Sequence, residues 1–115
     1  MSNFGAANVG WLDSVVLNVG PDRASQPFAV PFGFTGHVYL HGIGGNHHAI
    51  FAVGCDGNTQ FSGAGGQLTK IQHSEMADTT IEEVAVNIWR LVGLPQFGPP
   101  EAQIKVAIVG VKMAP

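Results

Sequence analysis

Sixteen glycines and seven prolines punctuate this 115-residue sequence into pieces, most of them short. The pieces between them are rich in β-branched and aromatic residues, which fit a pleated, half-buried surface. Five read as strands: 14–19 "SVVLNV", 28–34 "FAVPFGF", 36–42 "GHVYLHG", 48–54 "HAIFAVG" and 103–113 "QIKVAIVGVKM". The last alternates cleanly, with Ile104, Val106 and Ile108 on one face and Lys105, Ala107 and Val109 on the other. Weaker strands are expected at 59–62 and 67–72. Pro27 and Pro31 bracket the second piece and place it at a sheet edge or bulge, because proline cannot donate to a ladder.

Segment 79–93, "TTIEEVAVNIWRLVG", carries two periodicities. Thr79 with Glu82 fits a helix capping box, and Ile81, Val84, Ala85, Ile88 and Val92 recur at helical spacing. The same residues alternate as Val84, Val86 and Ile88 against Ala85, Asn87 and Trp89. Its centre, "VAVNIW", holds more β-formers than helix formers, which favours a strand and leaves the helix as the alternative. Seven or eight short strands with glycine and proline turns imply an all-β fold: an antiparallel β-sandwich, jelly-roll-like. The Pro-rich stretch "LPQFGPPEAQ" reads as a loop between strands, so residues 13–115 form one domain behind an N-terminal arm, 1–12.

The charge content bounds the function. Charged residues make up 11% of the chain, against about 25% in an average soluble domain. A surface so poor in charge associates readily, which points to a homo-oligomer or a component of a larger assembly. Five basic residues scattered along a chain of net charge −3 make no patch for phosphates, so no nucleic-acid partner is expected. Cys55 is the single cysteine, which excludes an intrachain disulfide and a thiolate metal cage and fits a buried, inert thiol. The opening "MSNFGAANVGWLDSVV" lacks a basic n-region and an unbroken apolar h-region, and no apolar run reaches the ~20 residues of a membrane span. Neither secretion nor a membrane partner is expected.

The stretch "HGIGGNHHAI", residues 41–50, carries the densest chemistry. Its glycines fit a turn between strands, and pairing Gly42 with His47 sets Leu40 against Ala49 and Val38 against Phe51. Val38, Leu40, Ala49, Phe51 and Val53 then share an apolar face. The outward face carries His37, Tyr39 and His41 from one strand, and His48, Ile50 and Ala52 from the other. In this register His41 and His48 are cross-strand neighbours, with Cβ atoms roughly 5 Å apart. Two imidazoles begin a metal site, but a third and fourth ligand are needed. His37 lies about 13 Å along the strand from His41, too far to share an ion. No metal and no cofactor are expected.

"GIGGN" lacks the spacing of a phosphate loop and leads into a strand. Ser14, Ser25, Ser62 and Ser74 stand in no nucleophile motif, and the acids fall mostly at turn positions. An enzyme is therefore not expected. The remaining reading is a binding face: His37, Tyr39, His41, His48 and Ile50, with Phe4 and Trp11 as anchors in the arm. Amphipathic rings with little charge form the centre of protein contacts, or stack on sugars. If His41 and His48 meet at a contact, acid would place like charges together and loosen it.

In its short length, few charges, Gly/Ala/Val-rich β pattern and closing strands "VAVNIWRLVG" and "AQIKVAIVGVKM", the chain resembles small virion proteins of tailed bacteriophages. These are capsid decoration (cement) proteins and fibre-tip jelly rolls. The resemblance spans the whole chain in style. It implies a homo-oligomer, often a trimer, that stabilises a capsid shell through sandwich faces and an extended arm, made in the host cytoplasm and carried in the virion. The alternative is a small β-sandwich lectin or receptor-binding module that takes a glycan at loops 41–48 and 55–60, although Asp56 stands nearly alone there as an acidic group.

Overall fold

The computed structural model describes residues 11–30, 33–43, 46–55, 61, 66–95 and 103–112, with the backbone alone at 11–13 and 112. It is all-β. Eight strands form in chain order: β1 (Trp11–Asn18), β2 (Phe28–Ala29), β3 (Phe34–Gly42), β4 (His48–Gly54), β5 (Gln67–Ser74), β6 (Thr80–Ala85), β7 (Ile88–Val92) and β8 (Gln103–Lys112). They pair antiparallel into a five-stranded sheet, β1-β8-β3-β4-β5, and a three-stranded sheet, β2-β7-β6. The antiparallel sandwich expected from the sequence is the observed one. β1 pairs with β8 in one sheet and β2 with β7 in the other, the wrapping of a jelly roll, while β3, β4 and β5 run as a meander within the larger sheet.

Period-two alternation builds the core between the sheets. The larger sheet turns Val38, Leu40, Phe51, Ile104 and Val106 inward, each essentially inaccessible to solvent. The smaller sheet answers with Trp89 and Leu91, both fully buried, and Ile81. Each such side chain contributes about 1.5–3 kcal/mol on burial. Trp89 stands at the centre: the rings of Phe61, Phe34 and Phe28 meet it edge-on at centroid distances of 5.0, 6.2 and 6.4 Å. Cys55 packs partly buried against this core, as its alternation with Val53 implies.

Two segments differ from the sequence reading. The piece 28–34 is not one strand: β2 ends at Ala29 in the smaller sheet, and Phe34 opens β3 in the larger. The corner between them is set by Val30, whose N–H goes to the Asn87 carbonyl, and by Gly33, whose φ of 66° turns the chain toward the other sheet. β2 is an edge strand, as its flanking prolines require. Segment 79–93 is neither one strand nor a helix but the β6–β7 hairpin, turning at Val86 and Asn87. Asn87 adopts φ 63°, a left-handed conformation that asparagine tolerates better than most residues. Of the weak strand expected at 59–62, Phe61 alone is described, and it is buried.

Side-chain bonds fasten the sheets where strands end. Ser25 Oγ accepts the buried Leu91 N–H at 3.0 Å, and the Ser25 N–H goes to the Leu91 carbonyl at 2.9 Å. The Thr79 hydroxyl donates to the Gly93 carbonyl at 3.0 Å. Three of the four sheet edges are interrupted. β2 is two residues long, β5 shifts register beside Ile50 and Phe51 of its partner, and β6 shifts between Glu83 and Ala85. Strands β1 and β8 of the larger sheet meet β2 of the smaller one around an opening. A half-open cavity of about 310 Å³ remains there, lined by Val15, Phe28, Ala29, Val106 and Ile108 among others.

Candidate interaction face

The β3–β4 register places the histidines. His41 pairs with His48, Tyr39 with Ile50, Val38 with Phe51 and Leu40 with Ala49, and the Gly42 N–H donates to the His47 carbonyl at 2.9 Å to close the hairpin. This pairing follows from the sequence: Val38 and Leu40 of β3 and Ala49, Phe51 and Val53 of β4 then share the inner face, and a one-residue slip would expose them. His37, Tyr39 and His41 are exposed, while His48, Ile50 and Ala52 are half-buried on the same outward face. The rings of His37 and Tyr39 lie 6.2 Å apart.

Strand β8 widens this face from the other side. His37 stands opposite Val109, Tyr39 opposite Ala107 and His41 opposite Lys105. Three rows therefore cross the sheet: Val109–His37–Ala52, Ala107–Tyr39–Ile50 and Lys105–His41–His48. On β5 Gln72 stands opposite Ile50, and its side-chain amide donates to His48 Nε2 at 3.1 Å. His48 Nδ1 in turn donates to the Asn46 carbonyl at 3.2 Å, so both ring nitrogens are engaged. Among the described residues, no Asp or Glu occupies an outward position in any strand of the larger sheet, and Lys105 is the one formally charged side chain facing out from it with its placement described.

The structure thus brings His37, Tyr39, His41, His48 and Ile50 together. Phe4 lies outside the described residues. The Trp11 backbone pairs with Gly110 at the start of β1, and its side chain lies outside what is described. Lys105, Ala107, Val109 and Gln72 join the face without having been singled out from the sequence. The alternation of β8 marked the first three as one face, but nothing local states that β8 lies beside β3.

Chemically the face offers rings, methyl groups and two bonded imidazole nitrogens. Among the described residues no three His, Cys, Asp or Glu side chains converge on a common point. A metal at His48 Nε2 would have to displace Gln72. Comparison of the chain with protein-family models, with curated proteins and with solved structures finds no match.

Proposed function

We propose that this chain is a non-enzymatic structural protein that acts by assembly: a homo-oligomeric component, of the capsid decoration or cement type, that stabilises a larger shell through protein–protein contacts. The observation that carries the reading is the outward face of the five-stranded sheet. It presents Tyr39 at 41% and Val109 at 37% exposure beside Ile50, Ala52 and Ala107, with three histidines and Lys105. Protein contacts deplete charge at their centres and favour aromatic rings, and this face sets the Tyr39 ring among methyl groups with Lys105 as its one described formal charge. Burying it would remove from water an apolar surface that a free monomer keeps at a cost.

Sedimentation of the native protein from its source tests the reading. The chain is expected in a particle fraction, released as an oligomer when the particle is dismantled. Recovery as a free monomer that captures a glycan and joins no particle would replace this reading with that of a lectin.

A further inference from the structure

We propose that the outward face of the five-stranded sheet docks against the same face of a second copy of this chain, and that acid opens the contact. The inference rests on the assembly reading above and names the partner of that face and its control.

Size is the first argument. Five strands spaced about 4.8 Å apart and at least seven residues long, at about 3.3 Å per residue, make a patch of order 500 Å² in flat projection. With its side-chain relief such a patch approaches the ~800 Å² that each partner gives to a standard interface. Charge is the second. The chain carries net charge −3, yet none of its described carboxylates faces outward from this sheet. Two such faces meet without desolvating a carboxylate, and each Lys105, being exposed, keeps its ammonium in water.

The absence of carboxylates on the described face also sets the response to acid. His41 is flanked by Lys105 from β8 and His48 from β4, the next residues outward being Val16 on β1 and Gln72 and Ser74 on β5. Glu75, which follows Ser74, lies 3.6 Å from His47 Nε2 and is engaged there. Protonated imidazoles at His41 and His48 would stand with Lys105 as three cations abreast, spaced about 4.5–5.5 Å at Cβ. His37 would add a fourth beside Tyr39. Among its described residues a second copy of the same face brings no carboxylate to neutralise them, and burying unpaired charge is strongly unfavourable. Protonation at His48 Nε2 also turns that atom from acceptor to donor, against the amide that now donates to it. An acidic partner would give the opposite sign, with binding tightened by acid.

The test is sedimentation of the full chain at fixed ionic strength from pH 8 to pH 5, the span in which imidazole side chains charge. Circular dichroism at each pH verifies the fold. Self-association at pH 8 is expected, weakened at least about tenfold by pH 5 with the fold intact. His41→Gln with His48→Gln should associate at pH 8 and lose most of the pH dependence, and Ile50→Asp should be monomeric throughout. Association that persists unchanged or tightens at pH 5 overturns the acid-opened self-contact and leaves the assembly reading standing. So does a chain that is monomeric at pH 8 but still sediments with a larger particle. Association that Ile50→Asp leaves untouched removes this face from assembly altogether.

Discussion

Gly36 and Gly110 stand opposite each other in the β3–β8 ladder, and neither has room for a Cβ. One built on Gly36 would lie 2.7 Å from the Gly110 Cα and against the Val109 carbonyl oxygen. One built on Gly110 would lie 2.8 Å from the Gly36 Cα and against the Thr35 oxygen. The obstruction is backbone on both sides, so no rotamer change relieves it. Gly36→Ala or Gly110→Ala should each cost about 1–3 kcal/mol in urea unfolding, the range for overpacking. The double variant should cost less than the sum, because either methyl already forces the strands apart.

Ser25 ties the β1–β2 connection to β7. Removing its hydroxyl leaves the buried Leu91 N–H without its acceptor. An unsatisfied buried donor costs about 1–3 kcal/mol, so Ser25→Ala should lower the unfolding free energy by that amount, read as a lower urea midpoint with the denaturant slope unchanged. Ser25→Thr, which keeps the oxygen, should recover part of it.

Trp89 acts through ring area. Three phenylalanine rings surround it, and its indole N–H has no hydrogen-bond partner among the described residues. Trp89→Ala should therefore cost about 3–5 kcal/mol, and Trp89→Phe well under half of that, since no bond is lost and the edge-on packing persists. Thermal unfolding followed by far-ultraviolet circular dichroism distinguishes the two.

Lys70 supplies an alkaline signature. Its ammonium sits 5.6 Å from the centroid of the Phe51 ring and donates to the Met76 and Ala77 carbonyls at 2.6 Å each, bracing the turn after β5. Burial holds its pKa below the ordinary 10.5, with the Asp78 charge acting in the opposite direction. The folded state thus releases this proton before the unfolded state does. The associated stability is present above 10.5 and is lost as pH falls through the lowered value. Urea midpoints should therefore rise slightly with pH within that window, relative to Lys70→Met. The same variant should cost about 1 kcal/mol at neutral pH through loss of the turn bonds.

What could be read from the sequence was local. The β3–β4 hairpin and its His41–His48 pair follow from two adjacent strands whose apolar residues agree on a single register. The neighbours that complete the face do not. Lys105 arrives from a strand distant in the chain, and such pairing leaves no spacing to read; Gln72 comes from the next strand, but a register shift beside Ile50 and Phe51 breaks the pattern that would place it. At 79–93 the apolar residues satisfied two periodicities because a hairpin folded at Asn87 puts Ile81, Trp89 and Leu91 on one side, and the turn lacks the glycine that would announce it. At 28–34 the β-forming residues were recognised, but the corner at Val30 and Gly33 divides them between two sheets.

The interrupted edges bear on how copies of this chain add up. A strand that is two residues long, or a ladder that slips register, offers a poor template for another strand. The inward-pointing Lys70 guards the β5 edge further, since a strand added there would border a charge already committed to Met76 and Ala77. Growth by sheet extension is discouraged at those three borders, which leaves the β1 edge and contact through a broad face. A face that meets its own copy about a two-fold axis closes at a definite stoichiometry, whereas strands stacked repeatedly on open edges run on into fibres. A chain with so few charges to keep its copies apart has particular need of that distinction.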